Sequence, residues 1–530
     1  MAIMNKTIYF SLFIGVLFTS CIKDNSTMVY PESNPNFSAI TITSPTERLS
    51  VDHGQEFVFT PAVTQKIESK ELQYIWTANY IDSDVVGEIF SVGEGATLRY
   101  TFPKFGTYRL RLEVKNEDYS AFKTWEIDVR VYDAGYFIVG KDDAGNSNIS
   151  FARSLSQTDV LEGKTLTFIP ELFNKVNPEH QIKDVVAIAK SLIAYGKNDA
   201  YLHVFTKEKI YVANPNTFEI FNVIEFTKQF PGEYIEKVTI FDTYITASRI
   251  FTSKGRILSY DKAELFCYRN DAWGDLSFDN AYTNLVYGQS TNVNGDEVVI
   301  DEANSKLWVL IYYHNNSKPV NNTSGTNASQ NNFGDNYRPN VYNNMDILNV
   351  FRMNGNSTYG TPTNLFTLAT DRTNPLLVKF VEFTFGSSTG MTTIAENVYE
   401  ASGPITYKKG AQIVPNARYS CAYYADGSNV YVWYPNNTVP NNRLPETPSF
   451  NIGSGKVITT MSVSYDMKQL YVGFYDQNSS HALKGGLYIY DCSKIGQNQS
   501  LQPDLKFENI TTRPVQVLYK SNVWDKFVSN

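Results

Sequence analysis

Histidine and cysteine are scarce in this chain. Its 530 residues include five histidines and four cysteines, and those low counts already narrow the chemistry. His53, His180, His203, His314 and His481 lie far apart, with no pair at a ligand-like spacing, which argues against a histidine-based metal site. No CxxC pair occurs either. Dispersed histidines support no Ser-His-Asp arrangement, and the chain has no GxxxxGKS phosphate loop. Basic blocks are also missing. The net charge of −8 is spread along the chain without an aromatic-interleaved Lys/Arg stripe, so no nucleic-acid partner is expected. Beyond residue 21 no segment approaches the ~18 consecutive apolar residues that read as a membrane span.

One short apolar run is present. Lys6 precedes Phe10-Ser11-Leu12-Phe13-Ile14-Gly15-Val16-Leu17-Phe18, and Thr19-Ser20-Cys21 follows. A positive n-region, an apolar h-region and small residues make a signal peptide over residues 1–20, too short to remain as a span. Its end resembles the lipobox of bacterial lipoproteins, with Phe18 where that pattern usually has Leu. The resemblance implies cleavage before Cys21 and lipidation of its thiol and new N-terminus. Acyl chains such as palmitate would then hold the protein to a membrane at roughly 0.8 kcal/mol per buried methylene. Residues 21–36 form a polar tether containing Pro31 and Pro35. Within it, Lys23-Asp24 resembles the surface-export tag of Bacteroidetes lipoproteins, which implies the outer face of the outer membrane.

The remaining chain is expected to be all-β. Over residues 37–133, short alternating stretches recur at Ala39–Ile42, Glu56–Phe59, Leu72–Thr77, Thr97–Phe102, Tyr108–Val114 and Phe122–Val131. Tyr108, Leu110, Leu112 and Val114 share one face, and Arg109, Arg111 and Glu113 share the other. That period of two predicts a β-sandwich with one wet face. Tyr100-Thr101-Phe102-Pro103 with Gly106 to Asn116 resembles the closing strands of a PKD domain, an Ig-like fold, and Tyr74-Ile75-Trp76 its central strand. That family's acidic-glycine turn is replaced here by Thr77-Ala78-Asn79-Tyr80. The resemblance implies a spacer or interaction module.

Residues 134–530 carry a recurring strand–turn–strand unit. Copies stand at 201–206 with 209–213 and 218–220, at 248–252 with 255–260, at 298–301 with 306–310, at 430–434, and at 470–474 with 486–491. Repeated small antiparallel sheets predict a β-propeller-like domain, and the length allows about seven or eight blades. A large sandwich or a β-helix is the alternative, although the repeat lengths are irregular for a β-helix. Val185, Ile188, Ala189 and Leu192 have helical spacing and predict a short inserted helix.

Candidate functional residues are few. Residues 314–347 form a long Asn/Ser/Thr/Gly-rich loop, in which Tyr337, Arg338 and Tyr342 are candidate partner or ligand contacts. Asp142-Asp143 with Gly145 and Asn146 superficially suggests calcium, but the spacing does not match an EF-hand loop and predicts a strand-connecting turn. Asp242, Asp301, Glu302 and Asp466 are carboxylates available for glycoside chemistry, and nothing in their positions singles out a pair. No catalytic residue, metal or cofactor is assigned. Cys267, Cys421 and Cys492 read as buried single thiols, with one long-range disulfide left open. The 36 tyrosines suit strands, and they also suit sugar or peptide binding, because tyrosine offers an apolar face with a polar tip.

Lipobox, tether, PKD-like strands and β-rich remainder together resemble the PKD-like family lipoproteins of Bacteroidetes. The resemblance implies a surface accessory lipoprotein beside a SusC/SusD-type TonB-dependent importer, with a peptide or glycan as cargo. A surface propeller enzyme (glycosidase or lyase) and an adhesin-type structural protein are the alternatives.

Overall fold

The computed structural model describes residues 37–81, 87–156, 159–160, 163–191, 201–239, 247–261, 265–269, 282–284, 297–301, 306–310, 342, 344–352, 363–386, 390–400, 412–434, 445, 447–464, 466–496 and 501–520. The chain divides into two compact units between Val131 and Tyr132. Tyr132 belongs to the second because its ring stacks on Phe218, with centroids 4.8 Å apart.

The first unit holds β1 (Ile40–Thr43), β2 (Arg48–Asp52), β3 (Phe57–Phe59), β4 (Ala62–Gln65), β5 (Gln73–Ile81), β6 (Phe90–Glu94), β7 (Leu98–Tyr100), β8 (Gly106–Lys115) and β9 (Ser120–Arg130). Five strands make one sheet in the order β2-β9-β8-β5-β6, while β1 pairs with β4 and β3 with β7. Strand β2 runs parallel to β9. The expected alternation holds on β8: Tyr108, Leu110, Leu112 and Val114 are buried and the residues between them face outward. On the buried side Trp76 and Trp125 lie 5.9 Å apart and Phe59 meets both rings edge-on. Trp76 donates its indole N–H to the Gly95 carbonyl at 2.8 Å, so its one polar atom is satisfied inside the core. Truncating a core tryptophan of this kind costs about 3–5 kcal/mol.

The second unit continues with β10 (Gly135–Lys141), β11 (Ser147–Arg153), α1 (Leu172–Val176), β12 (Val185–Ser191), β13 (Tyr201–Thr206), β14 (Lys209–Ala213), β15 (Ile220–Glu225), α2 (Phe226–Gln229), β16 (Ile235–Thr239), β17 (Ala247–Thr252), β18 (Ile257–Asp261) and β19 (Phe266–Arg269). Then come β20 (Tyr282–Asn284), β21 (Glu297–Asp301), β22 (Lys306–Leu310), β23 (Met345–Arg352), β24 (Thr363–Asp371), β25 (Leu377–Gly386), β26 (Gly390–Glu400), β27 (Ile413–Asn416), β28 (Cys421–Asp426), β29 (Asn429–Trp433), β30 (Phe450–Asn451), β31 (Lys456–Val463), β32 (Gln469–Asp476), β33 (Gly485–Asp491), β34 (Leu505–Thr511) and β35 (Arg513–Lys520). Among the described residues these form seven small antiparallel sheets. In chain order they are β11-β10-β35, β12 to β15, β16 to β19, β20 to β22, β23 to β26, β27 to β30 and β31 to β34. At six of the seven junctions the leading strands of neighbouring sheets touch: β35 meets β12, β12 meets β16, β20 meets β23, β23 meets β27, β27 meets β31, and β31 returns to β35. Small sheets arranged radially by their first strands make a propeller-like fold.

Each well-described sheet is buried on both faces. On β13, Leu202 and Val204 join a core with Phe137 and Val139 of the first sheet, while Phe205 joins another with Ile250 and Leu258 of the third. Burial on both faces explains why these strands read as unbroken apolar runs. The helix expected from Val185, Ile188 and Ala189 is instead β12. Its register shifts between Val185 and Ala187, which moves apolar residues out of strict alternation. Val185 and Ile188 then face the first sheet, and Ala187 and Ala189 face the third. Leu192 lies outside the described residues. Similar shifts occur near the start of β16, β23 and β31.

Closure is made by two strands far apart in the chain. Strand β35 pairs antiparallel with β10, from Gly135 opposite Lys520 to Lys141 opposite Arg513. The crossing at Thr511–Thr512 is cramped. A Cβ on Gly485 would stand 1.9 Å from the Thr512 carbonyl oxygen, and one on Gly140 would stand 2.1 Å from the Thr511 hydroxyl oxygen. Only glycine lets the backbone approach so closely. Asn148 Oδ1 accepts from the Thr511 hydroxyl at 2.7 Å and the Thr512 hydroxyl at 3.3 Å. Gln516 ties the closing strand to β12, accepting from Ile188 N–H at 2.7 Å and donating to its carbonyl at 3.1 Å. The buried Lys520 ammonium donates to the Tyr132 carbonyl and to the Asp133 carbonyl, the latter at 2.7 Å.

Candidate binding site between the seventh and first sheets

Three tyrosines converge where β10, β32 and β35 meet. Tyr136 and Tyr519 are direct cross-strand partners, and their rings meet at 4.9 Å and 62°. Such pairing on one sheet face is the natural way for two strands to hold aromatic side chains together. Tyr471 approaches Tyr136 edge-on from the seventh sheet, with centroids 5.7 Å apart. Tyr136 and Tyr471 are buried, whereas Tyr519 is 38 % exposed. The Tyr519 hydroxyl lies 3.0 Å from the Ser154 hydroxyl, so this outer ring is held at both ends.

The β31–β32 turn supplies polar groups beside the rings. Asp466 Oδ1 accepts from the Ser464 hydroxyl at 2.7 Å and from Lys468 N–H at 3.2 Å, and Lys468 Nζ stands 3.5 Å from its other oxygen. Aspartate at this turn caps its own backbone, as expected of the residue type. Gln469 Oε1 accepts the Tyr471 hydroxyl proton at 3.3 Å. Burial, with Tyr519 and Asp466 adding to it, pushes the Tyr136 phenol up to about 12, against a hydrogen bond to Gln469. Burial likewise raises Tyr471. For Asp466 burial works upward, but the bonds from Ser464 and Lys468 outweigh it and hold the carboxyl below its ordinary value. At neutral pH the buried phenols are therefore protonated and Asp466 is an anion. The array holds a partly exposed tyrosine, an ionised carboxylate and an amide bonded to both buried phenols.

A second cluster buttresses the first. Arg153 donates to the Ser154 carbonyl at 3.1 Å and to Asp159 Oδ2 at 2.9 Å, and Lys164 reaches Asp159 Oδ1 at 3.0 Å. The Asp159 side chain is only 2 % exposed. Burial favours its neutral form, but Ser156, Arg153 and Lys164 together overcome this and drive its pKa far below the usual carboxylate range.

The sequence candidates distribute as follows. Cys21, Tyr337, Arg338, Asp242 and Glu302 lie outside the described residues, as does the side chain of Asp301 at the end of β21. Tyr342 is buried, and its hydroxyl bonds Thr367 on β24, so it anchors the protein's own sheet. Asp142 spends both oxygens on the β10–β11 turn, accepting from Ala144 N–H, Asn146 N–H and the Asn146 amide at 2.8–2.9 Å. Among the described residues no three His, Cys, Asp or Glu side chains gather as a metal site. Cys267, Cys421 and Cys492 are buried free thiols. Burial pushes Cys267 up to about 12 and Cys421 and Cys492 to about 11. Of the residues that make the tyrosine site, sequence reasoning had singled out only Asp466. Tyr136, Tyr471 and Tyr519 sit in three strands far apart in the chain, where tyrosine is unremarkable, and no local signal marks them.

No family model matches the chain, and no curated protein matches it. Among solved structures it is similar to a quinonprotein alcohol dehydrogenase-like protein from Bacteroides thetaiotaomicron, at 14% identity and a TM-score of 0.44, covering 90% of this chain and 97% of that one. A Bacteroides thetaiotaomicron protein of unknown function matches at 8% identity and TM-score 0.26, covering 82% of this chain and 94% of that one. The WD40 domain of SCAP from fission yeast matches at 11% identity and TM-score 0.30, covering 64% and 75%. Likenesses this loose carry no weight for function. The propeller-like description rests on the seven sheets and their closure.

Proposed function

We propose that this chain is a lipid-anchored cell-surface protein that acts by binding, as an accessory subunit of a SusC/SusD-type nutrient importer carrying peptide or glycan. The observation that carries the binding role is the preorganised cluster of Tyr519, Asp466 and Gln469 on buried Tyr136 and Tyr471. Cys21 behind its apolar leader supports the anchor. The lipid confines the protein to the membrane plane, which raises its effective concentration beside any transporter there. In the same proposal the first unit is a PKD-type spacer, supported by Trp76 in its core and by the β8 alternation. The seven sheets are seven blades, closed by the β10–β35 pairing.

Affinity purification of the tagged protein from solubilised outer membranes tests the role. Co-recovery of a transporter and its lid lipoprotein at native expression is expected. Recovery without either subunit overturns the importer role. A Cys21→Ala variant that stays in the membrane fraction overturns the anchor.

A further inference from the structure

We propose that Tyr519 and Asp466, backed by Gln469, form a subsite for the pyranose ring of a neutral saccharide. This deepens the binding role above and rests on it. Tyr519 presents part of its ring to solvent, and its hydroxyl is already engaged by Ser154, so what it offers a ligand is the apolar ring. A pyranose has a matching surface of C–H groups, and an aromatic face covers such a surface while leaving the sugar's polar edge free. The polar edge carries adjacent hydroxyl donors. Asp466 is an ionised, half-exposed carboxylate, with a side chain 52 % exposed, and an anionic acceptor makes the stronger class of hydrogen bond to such donors. Gln469 bonds both buried phenols, its amide oxygen accepting from Tyr471 and its side chain also meeting Tyr136, so it locks the rings that back Tyr519.

The array is rigid before any ligand arrives. Tyr519 is fixed by Tyr136 and Ser154, and Ser154 by Arg153. Asp466 is fixed by its own turn, and Gln469 by Tyr471 and by its backbone bond to the Ser464 hydroxyl. Preorganisation lowers the ordering cost that weak polar ligands otherwise meet. A peptide fits this set less well. It would look for a strand edge or an apolar pocket, whereas the groups offered here are a partly exposed tyrosine and a turn carboxylate.

Isothermal titration of the full lipidated chain, held in a zwitterionic detergent free of sugar, tests the proposal. The probes are maltohexaose, cellohexaose, xylohexaose and mannohexaose, with a casein peptide digest as the other class. Saturable binding of at least one oligosaccharide is expected. Tyr519→Ala should weaken it about tenfold or more, and Asp466→Asn roughly fivefold. Tyr519→Phe keeps the ring and should bind within about twofold of wild type. Circular dichroism and melting confirm that each variant is folded. The proposal is overturned if no oligosaccharide binds, if Tyr519→Ala binds as wild type does, or if only peptide binds. Saccharide binding by a protein that recovers no transporter would remove the importer role and leave this subsite standing.

Discussion

Replacing Gly485 with alanine perturbs the closure at one methyl group. The added Cβ would stand 1.9 Å from the Thr512 carbonyl oxygen and 2.6 Å from Thr511 Cγ2. The first neighbour is backbone, so no rotamer change relieves the contact. Overpacking costs about 1–3 kcal/mol, and a backbone clash belongs at the upper end. Displacing Thr511 and Thr512 also disturbs their bonds to Asn148, each worth about 1 kcal/mol. The total is roughly 3–5 kcal/mol. For a unit of about 400 residues, an unfolding entropy near 2.1 cal/mol/K per residue converts this to a Tm drop of about 4–6 °C. Gly427→Ala is the control. Its φ is +61° with open space around the Cβ, so it carries only the left-handed backbone cost of ~1–2 kcal/mol, or about 2 °C. Scanning calorimetry measures both, and hydrogen exchange over residues 505–520 localises the effect. If Gly485→Ala melts with wild type and leaves 505–520 as protected as before, the cramped crossing is refuted.

Three further outcomes are expected. Lys520→Met keeps the apolar stem but removes the ammonium from the Tyr132 and Asp133 carbonyls, lowering stability by about 2–4 kcal/mol in urea titration; an unchanged midpoint refutes the clasp. Asp159 has a depressed folded-state pKa, so its contribution is present above the unfolded value near 4 and is lost as pH falls through the folded one. Asp159→Asn should therefore be less stable at pH 7 and show a shallower loss towards acid, whereas parallel stability–pH curves would contradict this. Cys267, Cys421 and Cys492 should react slowly with an aromatic disulfide reagent at pH 8 and release three equivalents on denaturation, and a single equivalent would reveal a disulfide.

Legibility followed solvent exposure. Strand β8 was readable because one face is wet, so Tyr108, Leu110, Leu112 and Val114 alternate with charged residues. The hairpin of Tyr201–Thr206 and Lys209–Ala213 was readable from its two-residue turn. Strand β12 was not, because burial on both faces plus a bulge gives Val185, Ile188 and Ala189 the spacing of a helix. Strands β2, β4 and β6 escaped notice because few of their residues are buried, which leaves them without a clear alternation. The tyrosine site depends on β10, β32 and β35 coming together, and tertiary pairing of that kind leaves no local periodicity. Asp466 was visible only as one turn carboxylate among several.

The β10–β35 pairing has a consequence for biosynthesis. Strand β10 is made early, and its partner β35 is made last among the described strands. Until residue 520 emerges, the nascent ring stays open and β10 keeps an unpaired edge, the kind of edge that recruits other chains. Bringing together ends some 380 residues apart costs on the order of 5 kcal/mol in chain entropy, which is recovered only when the last strand zips in. A ribosome that stops short of β35 therefore releases a product with no finished first sheet, and the fold itself distinguishes complete from truncated chains.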